Sequence, residues 1–284
     1  MRLLIPDLHP IQITEIGDAM CAAARLRDQA NELIDQADVL LHTLLGLTPL
    51  SELKAATGRC AEVSASSLHQ RLEASYHNAA AYAALERLSS SGIKITTLSD
   101  RQILKEIRPI TKFRKRVYVP TGGIPLYGGK QLFQVDPIDV KGLARGAHTK
   151  DLKEIALKKD MVLVTCSGTV GRVQIIPAYM GGWTANQHAT RLLAADGISP
   201  GYIYAWLASD YGSKLVKRNA YGSVILEIDK EMFGSVAIPV PSPSVMAEIG
   251  DPVMTANEYR DQAWRKEREA MTRLEFLIEG HQTA

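Results

Sequence analysis

Residues 5–44 (IPDLHPIQITEIGDAMCAAARLRDQANELIDQADVLLHTL) align without a gap onto residues 238–277 (IPVPSPSVMAEIGDPVMTANEYRDQAWRKEREAMTRLEFL), at a constant offset of 233. Fifteen of the 40 paired positions are identical, among them the strings EIGD and RDQA. A period this long excludes a solenoid, whose units recur every roughly 20–50 residues. It requires instead that an Ile-Pro strand end followed by a helix closes some folded unit twice. One such unit lies between the copies, over about residues 70–242. The other is expected to precede residue 5.

The first copy reads as a helix from about His9 to Leu45. Its apolar positions alternate by four and three through Ala19, Ala23, Leu26, Ala30, Leu33, Ala37, Leu40 and Leu44. A heptad seam held this long argues for a coiled coil. One column of the seam is Ala23, Ala30, Ala37 and Leu44, and the second copy carries Ala256, Ala263, Ala270 and Leu277 in the same places. Alanine in successive layers lets two helix backbones approach near the short end of the usual ~8–10 Å. The copies are therefore expected to pack on each other, antiparallel, each about 50 Å long. Two unrelated amphipathic helices would have no reason to share EIGD and RDQA. Asp251-Pro252 suits an N-cap followed by proline at N1, which predicts a fresh start or a kink in the second helix.

Between the copies, Thr57–Ser67 reads as a polar linker and residues 68–91 as a helix ending at a serine run and Gly92. Short Val- and Ile-rich segments bounded by turn residues predict strands at Ile93–Leu98, Val117–Val119, Met161–Cys166, Val173–Ile176, His188–Leu193, Val224–Ile228 and Val236–Val240. Ser199-Pro200 opens a predicted helix over 199–217. The expected fold class is α+β: one mostly β domain flanked by two long helices that form an antiparallel coiled coil. The expected units are 1–56 (strand end and first helix), 57–242 (β-rich domain) and 243–284 (second helix).

Net charge is only +2, but residues 101–160 hold 14 Lys and Arg against 6 Asp and Glu, a local +8. Such a field is the expected footprint of a phosphate-binding face, and a solvated loop would carry it equally well. The three cysteines, Cys21, Cys60 and Cys166, lack metal-ligand spacing, and no zinc site, disulfide framework or cofactor is expected. Asp136, Asp139 and Asp160 have no nuclease-like spacing, and no P-loop, HExxH or GxSxG motif occurs. With no long apolar run and no signal-peptide pattern, a soluble, cytoplasmic protein without a membrane partner is expected.

Several glycine-bearing turns bring polar side chains to loop tips: 121–123, 127–131, 167–172, 186–188 and 218–223. Each alone is an ordinary turn. Together they present the side chains that read base edges and hold phosphates. The candidate DNA-binding residues are Lys112, Arg114, Lys115, Arg116, Tyr127, Lys130, Ser167, Thr169, Arg172, Asn186, Gln187, His188, Arg218, Tyr221 and Ser223. Of these, Lys112, Arg114, Lys115 and Arg116 are assigned to sequence-independent phosphate contact.

The order GGIPLYGGKQL, DMVLVTCSGTVGRV, TANQHATRLL, a helix, AYGSVILEIDKEMFGSVAIPVPSP and a long helix, with RLEASYHN at 71–78 as a domain start, resembles the target-recognition domain and spacer helix of type I restriction–modification specificity subunits. The resemblance covers nearly the whole chain. It implies a phage-defence protein with no catalytic residues of its own. In that family two recognition domains, held apart by two antiparallel helices, each read half of a bipartite double-stranded DNA site. The helices also dock methyltransferase subunits, and the restriction subunit joins through the complex. Here the order is helix, one recognition domain, helix. That implies one half-site per chain unless a second copy or an N-terminal fragment supplies the other. A scaffold or decoy that docks a methyltransferase without reading DNA is the alternative.

Overall fold

The computed structural model describes residues 8–54, 62–68, 71–110, 115–128, 131, 134, 137–148, 152 and 154–282. Helix α1 spans Pro10–Leu44. His9 caps it reciprocally: its ring accepts from the Ile11 N–H at 3.3 Å, and its own N–H donates to Gln12 Oε1 at 3.2 Å. Helix α2 (Ala79–Ser90) starts later than the expected residue 68. Asn78 Oδ1 takes the Ala81 N–H at 2.9 Å and sets the start, while residues 74–77 form a turn.

Strands β1 (Ile95–Thr97), β2 (Leu104–Pro109), β3 (Tyr118–Val119), β4 (Ile124–Tyr127), β5 (Lys141–Leu143), β6 (Val162–Thr165), β7 (Val173–Ile175), β8 (Thr184–Ala185) and β9 (Ala189–Ala194) follow. Next come α3 (Pro200–Ala208), α4 (Asp210–Asn219), α5 (Lys230–Gly234), β10 (Ala237–Pro239) and α6 (Pro243–Gln282). One antiparallel sheet runs β2-β9-β6-β7. A second runs β3-β5-β4-β8, with β4 and β8 parallel. Strands β1 and β10 pair antiparallel, so the Ile238-Pro239 strand end closes the domain as the repeat requires.

Three expectations are corrected. The segment 199–217 is two helices, because Ser209 Oγ accepts the Gly212 N–H at 3.2 Å and caps α4. Of the fresh start or kink expected at Pro252, the fresh start is not found: helix α6 runs through Pro252. The carbonyl that Pro252 leaves without an amide belongs to exposed Glu248, on a side open to water. Residues 224–228 are not a strand; only Glu227 makes isolated bridges, to Ser167 and Tyr221. Strands β2, β4, β5 and β8 were not expected.

Helices α1 and α6 lie antiparallel, tied by ion pairs Arg27–Glu267 and Arg273–Glu15. That register runs Ala23, Ala30 and Ala37 against Ala270, Ala263 and Ala256, and all six are buried. Leu44 and Leu277 are only partly buried. The far end of α1 enters the main core, where Leu41, Leu45 and Leu50 meet Trp206, Tyr211, Phe233 and Ile249. A second core gathers Tyr127, Leu163, Ile176 and Tyr179, with Trp264 of α6 stacked on Tyr179 at 4.5 Å.

Among the described residues, the domain packs on the second copy of the repeat and leaves the first largely open. On α6, Met246, Ile249 and Val253 are buried, and a Cβ on Gly250 would fall 2.5 Å from Ser199 Oγ. Gly201 of α3 meets the Gly250 carbonyl as closely, so glycine faces glycine where the domain seats on the helix. Of the equivalent residues of α1, Ile16 is half-buried and Ile13, Gly17 and Met20 are exposed. Ile13 is 55% and Met20 38% exposed, and nothing lies within 4 Å of a Cβ on Gly17.

Candidate nucleic-acid interface

Four loops are laced into one face by main-chain hydrogen bonds. The β6–β7 turn is folded by Thr165, whose hydroxyl takes the Arg172 N–H at 2.9 Å and donates to the Thr169 carbonyl. Gly168 and Gly171 hold the turn at positive φ. The Cys166 N–H donates to the His188 carbonyl at 2.9 Å, which docks the 186–188 loop. The Gly168 N–H donates to the Leu226 carbonyl at 2.8 Å, and the Ile228 N–H to that of Cys166 at 2.9 Å, which docks the 221–227 loop. On the other flank the Asn186 N–H donates to the Tyr127 carbonyl at 3.0 Å. Gly128 lies against both Gln131 and Asn186.

The side chains on this face are donors, acceptors and cations. Lys115, Thr169 and Arg172 are exposed, and Ser167, Asn186, Gln187 and His188 half-buried. Arg116 donates to Gln187 Oε1, and Gln187 Nε2 lies 3.1 Å from His188 Nε2. The His188 N–H donates to Asn186 Oδ1 at 3.1 Å. In the second sheet, Lys141 lies 5.3 Å over the exposed Tyr118 ring. Such pre-ordered amide, hydroxyl and guanidinium groups suit base edges, and the cations suit phosphate. Burial pushes the Cys166 thiol up, which favours its neutral form. Tyr221 is also raised, first by burial and then by Asp229 and Glu227, and stays a neutral hydroxyl. Among the described residues no cluster of His, Cys, Asp or Glu could hold a metal ion, and no helix is long and apolar enough to cross a membrane.

Residues 104–255 match the sequence model of the family described as "Type I restriction modification DNA specificity domain", more than half of the 284 residues. The chain belongs to that family. An S subunit of a type I restriction-modification system from M. genitalium has a similar fold, with TM-score 0.52 at 14% identity over 93% of this chain and 56% of that one. The HsdS subunit from Thermoanaerobacter tengcongensis matches at TM-score 0.40 and 14% identity, over 95% and 57% of the two chains. A chain from a study of type I R-M complex assembly matches at TM-score 0.44 and 15% identity, over 97% and 58%. The chain thus spans a little over half the length of these structures. No curated protein sequence matches it.

Two candidate contacts in this specificity domain are corrected. Tyr127 is 1% exposed, and its side chain lies in the second core, where burial pushes the phenol well above its ordinary value against the opposing charge of Arg260. It offers the face only its carbonyl. Arg218 clamps the domain start instead: its Nε donates to the Tyr76 carbonyl at 2.9 Å, and its guanidinium lies 4.1 Å over the Tyr76 ring. Tyr221 and Ser223 are exposed on the 221–227 loop. Lys112, Arg114 and Lys130 lie outside the described residues.

Sequence reasoning missed Thr165, which builds the turn, and Glu227, which accepts from Ser167 Oγ at 3.3 Å. It also missed the exposed aliphatic run Val224-Ile225-Leu226, whose β-branched residues mimic a strand. Asp160 joins the domain to α6: its Oδ1 accepts from Asn257 Nδ2 at 3.1 Å.

Proposed function

We propose that this chain is a DNA-sequence specificity subunit of a type I restriction–modification complex, directing methyltransferase and restriction subunits to their site without catalysing a step itself. The observation that carries this reading is the convergence of the 167–172, 186–188 and 221–227 loops beside a basic rim, in a chain of the DNA specificity domain family. Lys115 and Arg116 supply sequence-independent attraction, and Arg172, Asn186 and Gln187 read base edges.

One head reads one half-site. The outward face of α1 around Gly17 repeats the surface on which α6 seats the recognition domain, which favours a second recognition domain there, from a preceding segment, a second copy or a separate fragment. The ~50 Å helix pair is long enough to hold two heads about one DNA turn (~34 Å) apart. The remaining helix surface docks the methyltransferase.

The test is to purify the tagged chain with a type I methyltransferase subunit from the same source and map the methylated sites. A bipartite methylated motif is expected, and a palindromic one would mean that one head is used twice. Methylation that ignores sequence would overturn the reading.

A further inference from the structure

The Tyr221–Glu227 loop is an apolar prong set in a polar face. Val224, Ile225 and Leu226 are 94, 60 and 45% exposed. The loop is stiff: Tyr221 and Glu227 exchange N–H donation to each other's carbonyl, both at 2.8 Å. Gly222 sits at φ +103°, where a Cβ would fall 2.3 Å from the Ile225 carbonyl oxygen, so only glycine closes the loop. Val and Ile are themselves restricted at χ1. The Gly168–Leu226 hydrogen bond ties the prong to the turn carrying Thr169 and Arg172, so whatever that turn meets, the prong meets too.

We propose that Val224 and Ile225 enter the bound duplex as a wedge, parting one base step beside the bases that the polar loops read. The wedge presupposes the DNA-binding reading of this face. Residues 221–227 contain no Lys or Arg, and their one formal charge is Glu227. No cation of the loop therefore draws its aliphatic tip to phosphate. Its aliphatic tip gains only on apolar surface, and a duplex offers that on base faces exposed by unstacking. Contact with a thymine methyl in the intact groove is a different outcome, which the experiment separates.

Duplexes selected from a random-sequence pool by the full chain are resynthesised with 2-aminopurine at each adenine in turn, a base that brightens when unstacked. The wild-type chain is expected to brighten one position. The Val224→Ser/Ile225→Ser variant is expected to bind at least about tenfold more weakly and to abolish that signal, with an unchanged melting temperature because both side chains are exposed. A variant that keeps the signal, or that binds as tightly as wild type, overturns the wedge alone. So does a wild-type complex that never brightens but weakens when uracil replaces thymine. A wild-type chain that selects no sequence overturns both the wedge and the DNA-reading assignment beneath it.

Discussion

The Tyr127 hydroxyl and the Arg172 guanidinium are both polar groups at glycine-bearing turns, yet the fold turns one into the core and the other toward solvent. Different outcomes follow. Arg172→Ala and Asn186→Ala should erode sequence preference more than total binding, whereas Lys115→Ala should weaken all duplexes alike and reduce the salt slope by about 1. Competition binding with selected and random DNA over a salt series checks this; a Lys115→Ala effect confined to one sequence would show that the two roles are misassigned. Tyr127→Phe should leave DNA affinity unchanged and shift stability by no more than about 1 kcal/mol, because the buried hydroxyl has no hydrogen-bond partner among the described residues. The turns themselves were legible from glycine and polar spacing. Which of their side chains face outward was not, since that depends on the sheet each turn closes.

At the scale of elements, the two copies of the repeat make opposite predictions for the same substitution. Gly250→Ala pushes a methyl into Ser199 and the Tyr202 N–H and should cost about 2–3 kcal/mol. Gly17→Ala meets nothing and should stabilise α1 by about 0.5–1 kcal/mol. Urea denaturation compares the two. If the α1 face seats a second recognition domain, Gly17→Ala should also impair that assembly while stabilising the isolated chain. Ala30→Glu buries a charge in the seam and should cost several kcal/mol and separate the helices.

The joint between α1 and the domain is pH-dependent. His42 Nε2 lies 3.4 Å from Asp210 Oδ1, and its Nδ1 lies 2.9 Å from the Leu47 carbonyl. The Asp210 carboxylate beside it raises the imidazole above its ordinary value, against burial, with Leu47 and Asp38 adding to the rise. Burial pushes Asp210 up, but His42 and the Leu50 and Tyr211 backbone outweigh it and hold the carboxyl low. A raised histidine stabilises fully below its unfolded value and loses that contribution as pH rises through its folded value. A lowered carboxylate loses its own as pH falls below its ordinary range. The pair therefore favours the fold between about pH 4 and 7. His42→Gln should remove about 1 kcal/mol at pH 6 and little at pH 9, read from denaturation midpoints.

For the whole molecule, the internal repeat, the heptad seam and the α+β class followed from sequence alone, because each is a periodicity that consecutive residues impose whatever surrounds them. The local +8 of residues 101–160 was equally plain, but not its use: Lys105 pairs with Asp196, Arg108 with Glu106 and Lys159 with Glu258, while Arg116 reaches the loop face through Gln187. Strands β2 and β5 escaped notice because LKEIRP and KGL carry charges or glycine that only sheet partners tolerate. The Val224–Leu226 run looked like a strand because β-branched residues favour extended backbone anywhere; with no partner strand beside it, it became an exposed prong. Local composition thus determined what each segment tends to form. Tertiary hydrogen bonds from Cys166, Gly168 and Asn186 decided which loops share a face, since bonds between residues far apart in the chain leave no local signature.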